Sequence, residues 1–323
     1  MNVKKVFIIA EAGINHNGKL DTAKKLINIA SKAKVDAIKF QLFKTDNFIN
    51  KKKIPDIFKM FLNLEFSLLE WKNIILHAKH KNIKIFFSIF DLPSLNLLKK
   101  LKINLVKIPS GEINNHALLN EINKKKIDVI LSTGMATIEE IEHSVNILKN
   151  CNIKLLHCVS EYPTDPNKLN LNFIKTLKEK FNLQVGFSDH TLGIDAPGIA
   201  VAAGAKIIEK HFTNNKNQDG GDHKVSINQN ELIKLVKNIR SIEEMLGKSN
   251  KTIYRDEIIL SKIARKGVYL RHNIKKKQIL KKNNLIFLRP ANSKNLNFYN
   301  KILGKKAIKN INAFESLRAK LFK

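Results

Sequence analysis

The chain has 323 residues, 43% of them hydrophobic, with 18 Phe and a formal net charge of +30. That length suits a large domain followed by a smaller one, and the apolar content can bury a sizeable interior, which excludes global disorder. The positive excess is mostly Lys spread along the whole chain, without a basic stripe interleaved with aromatics, so a nucleic-acid partner is not expected, although the field would attract a small polyanion.

Met1-Asn2-Val3-Lys4-Lys5 leads into a strand-like run where a signal peptide would place an apolar core. No run of 18 apolar residues follows, so no membrane partner is expected and the chain reads as cytoplasmic. Eight apolar runs rich in Ile, Val and Phe then recur, at residues 6–10, 37–41, 85–90, 105–108, 129–132, 154–159, 184–188 and 206–211. Segments of helical period separate them. In residues 21–30 the apolar positions fall at i, i+3 and i+4, with Asp21 as the expected N-cap, and residues 139–148 repeat the pattern behind Thr137. Strand and helix alternating eight times predict an α/β fold, a (β/α)8 TIM barrel. An open doubly wound sheet is the competitor, but no Gly-x-Gly-x-x-Gly follows the first run. Cys151 and Cys158 lack a paired spacing, and Cys158 lies in an apolar run, as a buried free thiol would.

A TIM barrel places its chemistry at the C-terminal strand ends. Polar residues collect there: Glu11, then Lys39 and Gln41, Ser88, Lys107 with Ser110 and Glu112, Ser132, Ser160 with Tyr162, Ser188 with His190, and Glu209 with His211. Lys39/Gln41, Ser188/His190 and Glu209/His211 are two apart and so share a face. The last two runs end on histidines and are joined by a Gly/Ala-rich helical segment, which makes them neighbouring parallel strands. His190 and His211 should therefore lie side by side, as candidate ligands of a divalent metal.

Residues 1–246 are assigned to the barrel and 247–258, polar and helix-poor, to a linker. In 259–323 the alternation stops. Short strands are predicted at 266–271 and 285–289, giving a small β-rich module with too few residues for a firm core of its own.

With these motifs in place, the chain resembles the sialic acid synthase family, which includes N-acetylneuraminate, legionaminate and pseudaminate synthases. The resemblance runs through Ala10-Glu11-Ala12-Gly13-Ile14-Asn15-His16-Asn17-Gly18, Lys39-Phe40-Gln41, Lys107-Ile108-Pro109-Ser110-Gly111-Glu112 and Leu131-Ser132-Thr133-Gly134-Met135. It continues through His157-Cys158-Val159-Ser160-Glu161-Tyr162-Pro163, Ser188-Asp189-His190-Thr191, Glu209-Lys210-His211-Phe212-Thr213 and Gly220-Gly221-Asp222-His223. The tail is similar to the antifreeze-like (SAF) domain of these enzymes, with Arg289-Pro290-Ala291 where the family has Arg-Pro-Gly.

The resemblance implies a transferase that condenses phosphoenolpyruvate with N-acetylmannosamine or a related 2,4-diacetamido hexose, giving a nine-carbon 2-keto sugar acid and phosphate. It implies His190 and His211 as ligands of a divalent metal, Mn2+ above Mg2+ or Co2+. Lys39 and Lys107 would serve the phosphate and carboxylate, with hydroxyls from Ser110, Ser132 and Ser188 around the same anion. Glu11 would stabilise the C2 cation or guide water. Glu112 and Asp222 would face sugar hydroxyls as candidate bases, with Gln41, Ser160 and Tyr162 as further substrate contacts. Glu209 is left as a structural neighbour of the metal histidine. Arg289 would reach the sugar from a partner subunit, in a domain-swapped homodimer. Asp222-His223-Lys224 leans toward the sialic or legionaminic branch. Pseudaminate synthase, another metal-dependent TIM-barrel aldolase, a Schiff-base aldolase using Lys39 or Lys107, and a non-catalytic basic binding protein are the alternatives.

Overall fold

The structure, a computed structural model, describes residues 5–291, 297–315 and 317–323. Met1–Lys4 of the expected N-terminal approach lie outside the described residues. The chain divides into two compact units, Met1–Gly247 and Lys248–Lys323.

In the first unit eight parallel strands close into a barrel in sequence order: β1 (Phe7–Gly13), β2 (Ala37–Leu42), β3 (Lys84–Ile89), β4 (Leu105–Ile108), β5 (Asp128–Ser132), β6 (Ile153–His157), β7 (Gln184–Asp189) and β8 (Ile207–His211). Each contains or overlaps one of the apolar runs. Side chains alternate across the wall. The outward set, including Ile8, Ile38, Phe87, Val106, Leu131, Phe187 and Ile208, packs under the helices as the main core. The inward set stacks in layers. Ile9, Ala37, Phe86, Ile130, Leu156 and Ile207 form a separate apolar plug inside the barrel. Gly186 takes the β7 place in that plug, because a Cβ there would lie 2.4 Å from the Ile207 carbonyl and 2.7 Å from Leu156 Cδ2. The layer above, toward the C-terminal strand ends, is polar.

Helices flank the wall. Leu20–Ala33 follows β1, but Asp21 is not its N-cap: Lys19 occupies that position in extended conformation without a side-chain bond, and Asp21 lies in the first turn, where its charge meets the helix dipole. Ile138–Ile147 starts at Thr137 with a capping box to Glu140, closing two otherwise free backbone donors. No described helix is long and apolar enough to cross a membrane.

The second unit departs from the sequence expectation in two ways. The expected linker is partly helical, since a helix spans Arg255–Ala264, and none of its residues is buried. The module also has its own core: Val268, Leu270, Ile274, Leu280, Leu285, Phe298, Ile302, Ala307, Ile311, Leu317 and Phe322 form one cluster. Within it β9 (Gly267–Leu270) and β10 (Leu285–Leu288) pair antiparallel.

Candidate active site

The polar layer lines a cavity of about 240 Å3 at the C-terminal mouth. Register explains how the residues meet. Glu11 pairs with Lys39 on one side and His211 on the other, Ser88 pairs with Lys107, and Ser188 pairs with Glu209. Adjacent strand ends therefore present one ring of functional groups. Glu11, Lys39, Gln41, Lys107, Ser110, Ser132, Ser160, Tyr162, Ser188, His190 and His211 all line the cavity. Of the other anticipated residues in this unit, Glu112 and Asp222 do not. Glu112 sits on the short turn after β4, where its carboxylate accepts from Asn115 Nδ2 at 2.7 Å. Asp222 lines an adjoining cavity of about 320 Å3 that shares Tyr162 with the first. Arg289 follows β10 in the second unit with an exposed side chain.

Four buried charges dominate the floor. Lys39 Nζ lies 2.8 Å from Glu11 Oε2 and 3.5 Å from Glu209 Oε2, and donates to Ser88 Oγ at 2.6 Å. Lys107 Nζ lies 3.2 Å from Glu209 Oε1, to which Ser188 also donates at 2.9 Å. Glu209 therefore bridges the two lysines. Sequence reasoning gave it no chemical role, although its place two residues before His211 already set it on the inward face. Burial works against the Glu209 charge, but Lys107 and Lys39 outweigh it and hold the carboxylate at about 2. Burial raises Glu11 to about 7, with Lys39 pulling the other way. Burial also lowers Lys107, whereas Glu11 and Glu209 overcome it at Lys39 and raise that ammonium.

The histidines meet at the rim, with ring centroids 5.8 Å apart. His190 Nδ1 donates to the Val159 carbonyl at 2.8 Å, which leaves the Nε2 lone pair for the cavity, 3.0 Å from Tyr162 OH. Burial depresses His190 to about 4 and His211 to about 3, so both are neutral, the form in which imidazole ligates metal. His211 Nδ1 is buried without a hydrogen-bond partner, 3.5 Å from Asp222 Oδ2. Gly13 sits where these groups converge, and its φ of +52° is what calls for glycine there, since a Cβ would make only ordinary contacts with Glu11 Oε1 and Asp222 Oδ2 at 3.4 Å and His211 Cε1 at 3.5 Å. No three His, Cys, Asp or Glu side chains among the described residues form a complete ligand set. A cation held by this pair would keep positions for exogenous oxygen ligands.

The Asn15-His16-Asn17-Gly18 motif proves to hold the Asp222 loop. Asn15 Oδ1 accepts from the Asp222 amide at 2.8 Å while Nδ2 donates to the Phe212 carbonyl at 2.9 Å and to Ser226 Oγ at 3.0 Å. His16 is fully buried against Phe66 and Trp71, and burial lowers it to about 4.

The chain is similar to known proteins over nearly its whole length. The chain is 44% identical to the N,N'-diacetyllegionaminic acid synthase of Campylobacter jejuni, over 98% of this chain and 100% of that protein. It is 36% identical to the pseudaminic acid synthase of the same species, covering 98% and 96%. Among solved structures, the N-acetylneuraminic acid synthetase of Leptospira borgpetersenii superposes with a TM-score of 0.74 at 38% identity, covering 79% of this chain and 90% of that one. Residues 26–251 match the NeuB family, and the chain belongs to that family.

Proposed function

We propose that this barrel joins phosphoenolpyruvate to the open-chain aldehyde of an N-acylated amino sugar, releasing a nine-carbon 2-keto sugar acid and phosphate. The observation that carries the reading is one cavity in which two buried ammoniums and a set of hydroxyls face two neutral histidines. Lys39 and Lys107 suit a small molecule with both phosphate and carboxylate, since charge-assisted bonds to a desolvated ammonium are the strong ones. Ser110, Ser132 and Ser188 offer hydroxyls in the same space, and Ser132 Oγ is buried without a partner. A divalent cation at His190 and His211, Mn2+ by the resemblance, would supply Lewis-acid polarisation of the aldehyde oxygen.

The carbon–carbon bond forms from the enol carbon of phosphoenolpyruvate to the aldehyde carbon. Water then adds at C2, and the C–O bond to phosphate breaks to leave the ketone. Glu11, pushed up to about 7 by burial, can hold a proton while phosphoenolpyruvate binds, give it to the aldehyde oxygen as the carbon–carbon bond forms, and then take the water's proton. Asp222 in the adjoining cavity, and Tyr162, which lines both cavities, would meet the sugar. Identity to the legionaminic acid synthase exceeds that to the pseudaminic acid synthase, which favours a 2,4-diacetamido hexose of the legionaminate series as acceptor. Arg289, on an SAF-like module, is assigned to the sugar pocket of a partner in a homodimer.

The test is incubation with phosphoenolpyruvate, Mn2+ and each candidate hexosamine, reading phosphate release and product mass. Phosphate release with a diacetamido sugar and a matching keto-acid mass is expected. No release with any acceptor, or covalent trapping by borohydride at Lys39 or Lys107, would overturn the proposal in favour of a Schiff-base aldolase or a non-catalytic role.

A further inference from the structure

The outer face of the barrel carries a buried ion pair that the cavity does not use. Asp189 and Lys210 are register partners on β7 and β8, each one residue before a rim histidine. Alternation points them away from the cavity, into the layer under the helices among Phe187, Ile208 and Phe212. Their side chains are 0% and 1% exposed, and Lys210 Nζ donates to Asp189 Oδ2 at 2.6 Å.

Two more bonds give the pair its geometry. Lys210 Nζ also donates to the Thr191 carbonyl, and Asp189 Oδ1 accepts from the Thr191 amide at 2.9 Å. The carboxylate and the ammonium together hold both peptide groups of the residue that follows His190. The turn at His190 is closed from behind, and β8 is tied to it at the residue before His211.

We propose that Asp189 and Lys210 are positioning residues, a clamp outside the barrel that fixes His190 and His211 in the directions needed to receive a divalent cation. The inference rests on reading the two histidines as cation ligands. A buried ion pair adds little net stability over well-packed apolar residues, so stability alone does not account for charge at this depth. An apolar pair could pack between the sheet and the helices, but it could not grip the Thr191 peptide. Groups behind a metal ligand typically set metal affinity by 10- to 100-fold, and a site with only two protein ligands depends strongly on their aim.

The experiment compares Mn2+ binding by the full-length wild type and the double variant Asp189→Leu/Lys210→Met, which leaves no unpaired buried charge. Free Mn2+ is counted by electron paramagnetic resonance without substrates. The variant is expected to melt cooperatively like the wild type and to bind Mn2+ roughly 10- to 100-fold more weakly. Equal affinity overturns the clamp. Should the variant not fold, amide exchange of Thr191 in the wild type decides instead. Protection in the metal-free chain that Mn2+ does not increase supports a preset turn, and protection only after Mn2+ is added overturns it. A wild type that takes up no Mn2+ overturns the ligand reading itself, an outcome distinct from equal binding by both chains.

Discussion

Gly134 gives the sharpest test of the anion pocket. It follows β5, its amide donates to Ser110 Oγ at 3.1 Å, and a Cβ there would stand 2.4 Å from Ser160 Oγ, 2.8 Å from Cys158 Sγ and 2.9 Å from Ser110 Oγ. Gly134→Ala therefore requires Ser160 Oγ, Cys158 Sγ and Ser110 Oγ all to shift, and Ser110 is one of the hydroxyls assigned to the anion. A hydrogen bond to a charged partner is worth about 1.5–3 kcal/mol, so losing one should weaken phosphoenolpyruvate about 10- to 100-fold. The sugar should be much less affected, since Asp222 belongs to the adjoining cavity. Steady-state kinetics with each substrate varied in turn separates the two effects. Gly111→Ala is the matched control, because Gly111 lines the same cavity and its added Cβ would meet no atom within 4 Å. A Gly134→Ala enzyme that melts like the wild type and keeps its KM for phosphoenolpyruvate would refute the assignment of Ser110 to the anion.

Three further outcomes are expected. His190→Ala and His211→Ala should each abolish turnover, and a chelator should do the same to the wild type until Mn2+ is restored; full activity in chelator would exclude the metal. His16 is neutral in the fold, with its value depressed to about 4 from an ordinary 6.5. Its contribution is intact above pH 6.5 and is lost as pH falls toward 4, so acid should cost the wild type about 3 kcal/mol more than His16→Leu in denaturant melts; parallel pH curves would contradict this. Mixing Arg289→Ala with His190→Ala chains should restore part of the activity if Arg289 completes a partner's site, and none if each chain closes its own.

The barrel was legible because eight buried strands need eight apolar runs, and the helices between them need a stripe facing the wall. The cavity was legible for a related reason: Lys39 and Gln41 sit two and four residues beyond the inward Ala37, and Glu209 and His211 two and four beyond the inward Ile207, so the inward faces turn from apolar to polar toward the strand ends. Other features depended on partners that spacing does not reveal. Glu112 accepts a bond from Asn115, a contact made within one short turn after β4, and does not line the cavity. Glu209 lies two residues from His211, but its bond to Lys107 spans 102 positions. The helix Arg255–Ala264 buries no residue, so no burial stripe marks its period, and the polar stretch before it reads as open chain. The second core was underestimated because it gathers single apolar residues from turns and bridges, such as Ile274 with Ile311 and Ala307 with Phe322, which form no run in the sequence.

The Lys39–Glu209–Lys107 bridge, with Glu11 on the other side of Lys39, has a consequence for charge balance. Two ammoniums and two carboxyls in one water-poor space form a set close to electrical neutrality before any substrate arrives. A multiply charged anion entering that set brings negative charge that the lysines alone no longer offset. A cation held at the histidines would relieve the imbalance, as would a proton on Glu11, whose value of about 7 puts protonation within reach at neutral pH. Anion capture here should therefore draw protons from solution, and a binding heat that changes with the ionisation enthalpy of the buffer would register them. A heat independent of the buffer would mean that the cation alone supplies the missing charge.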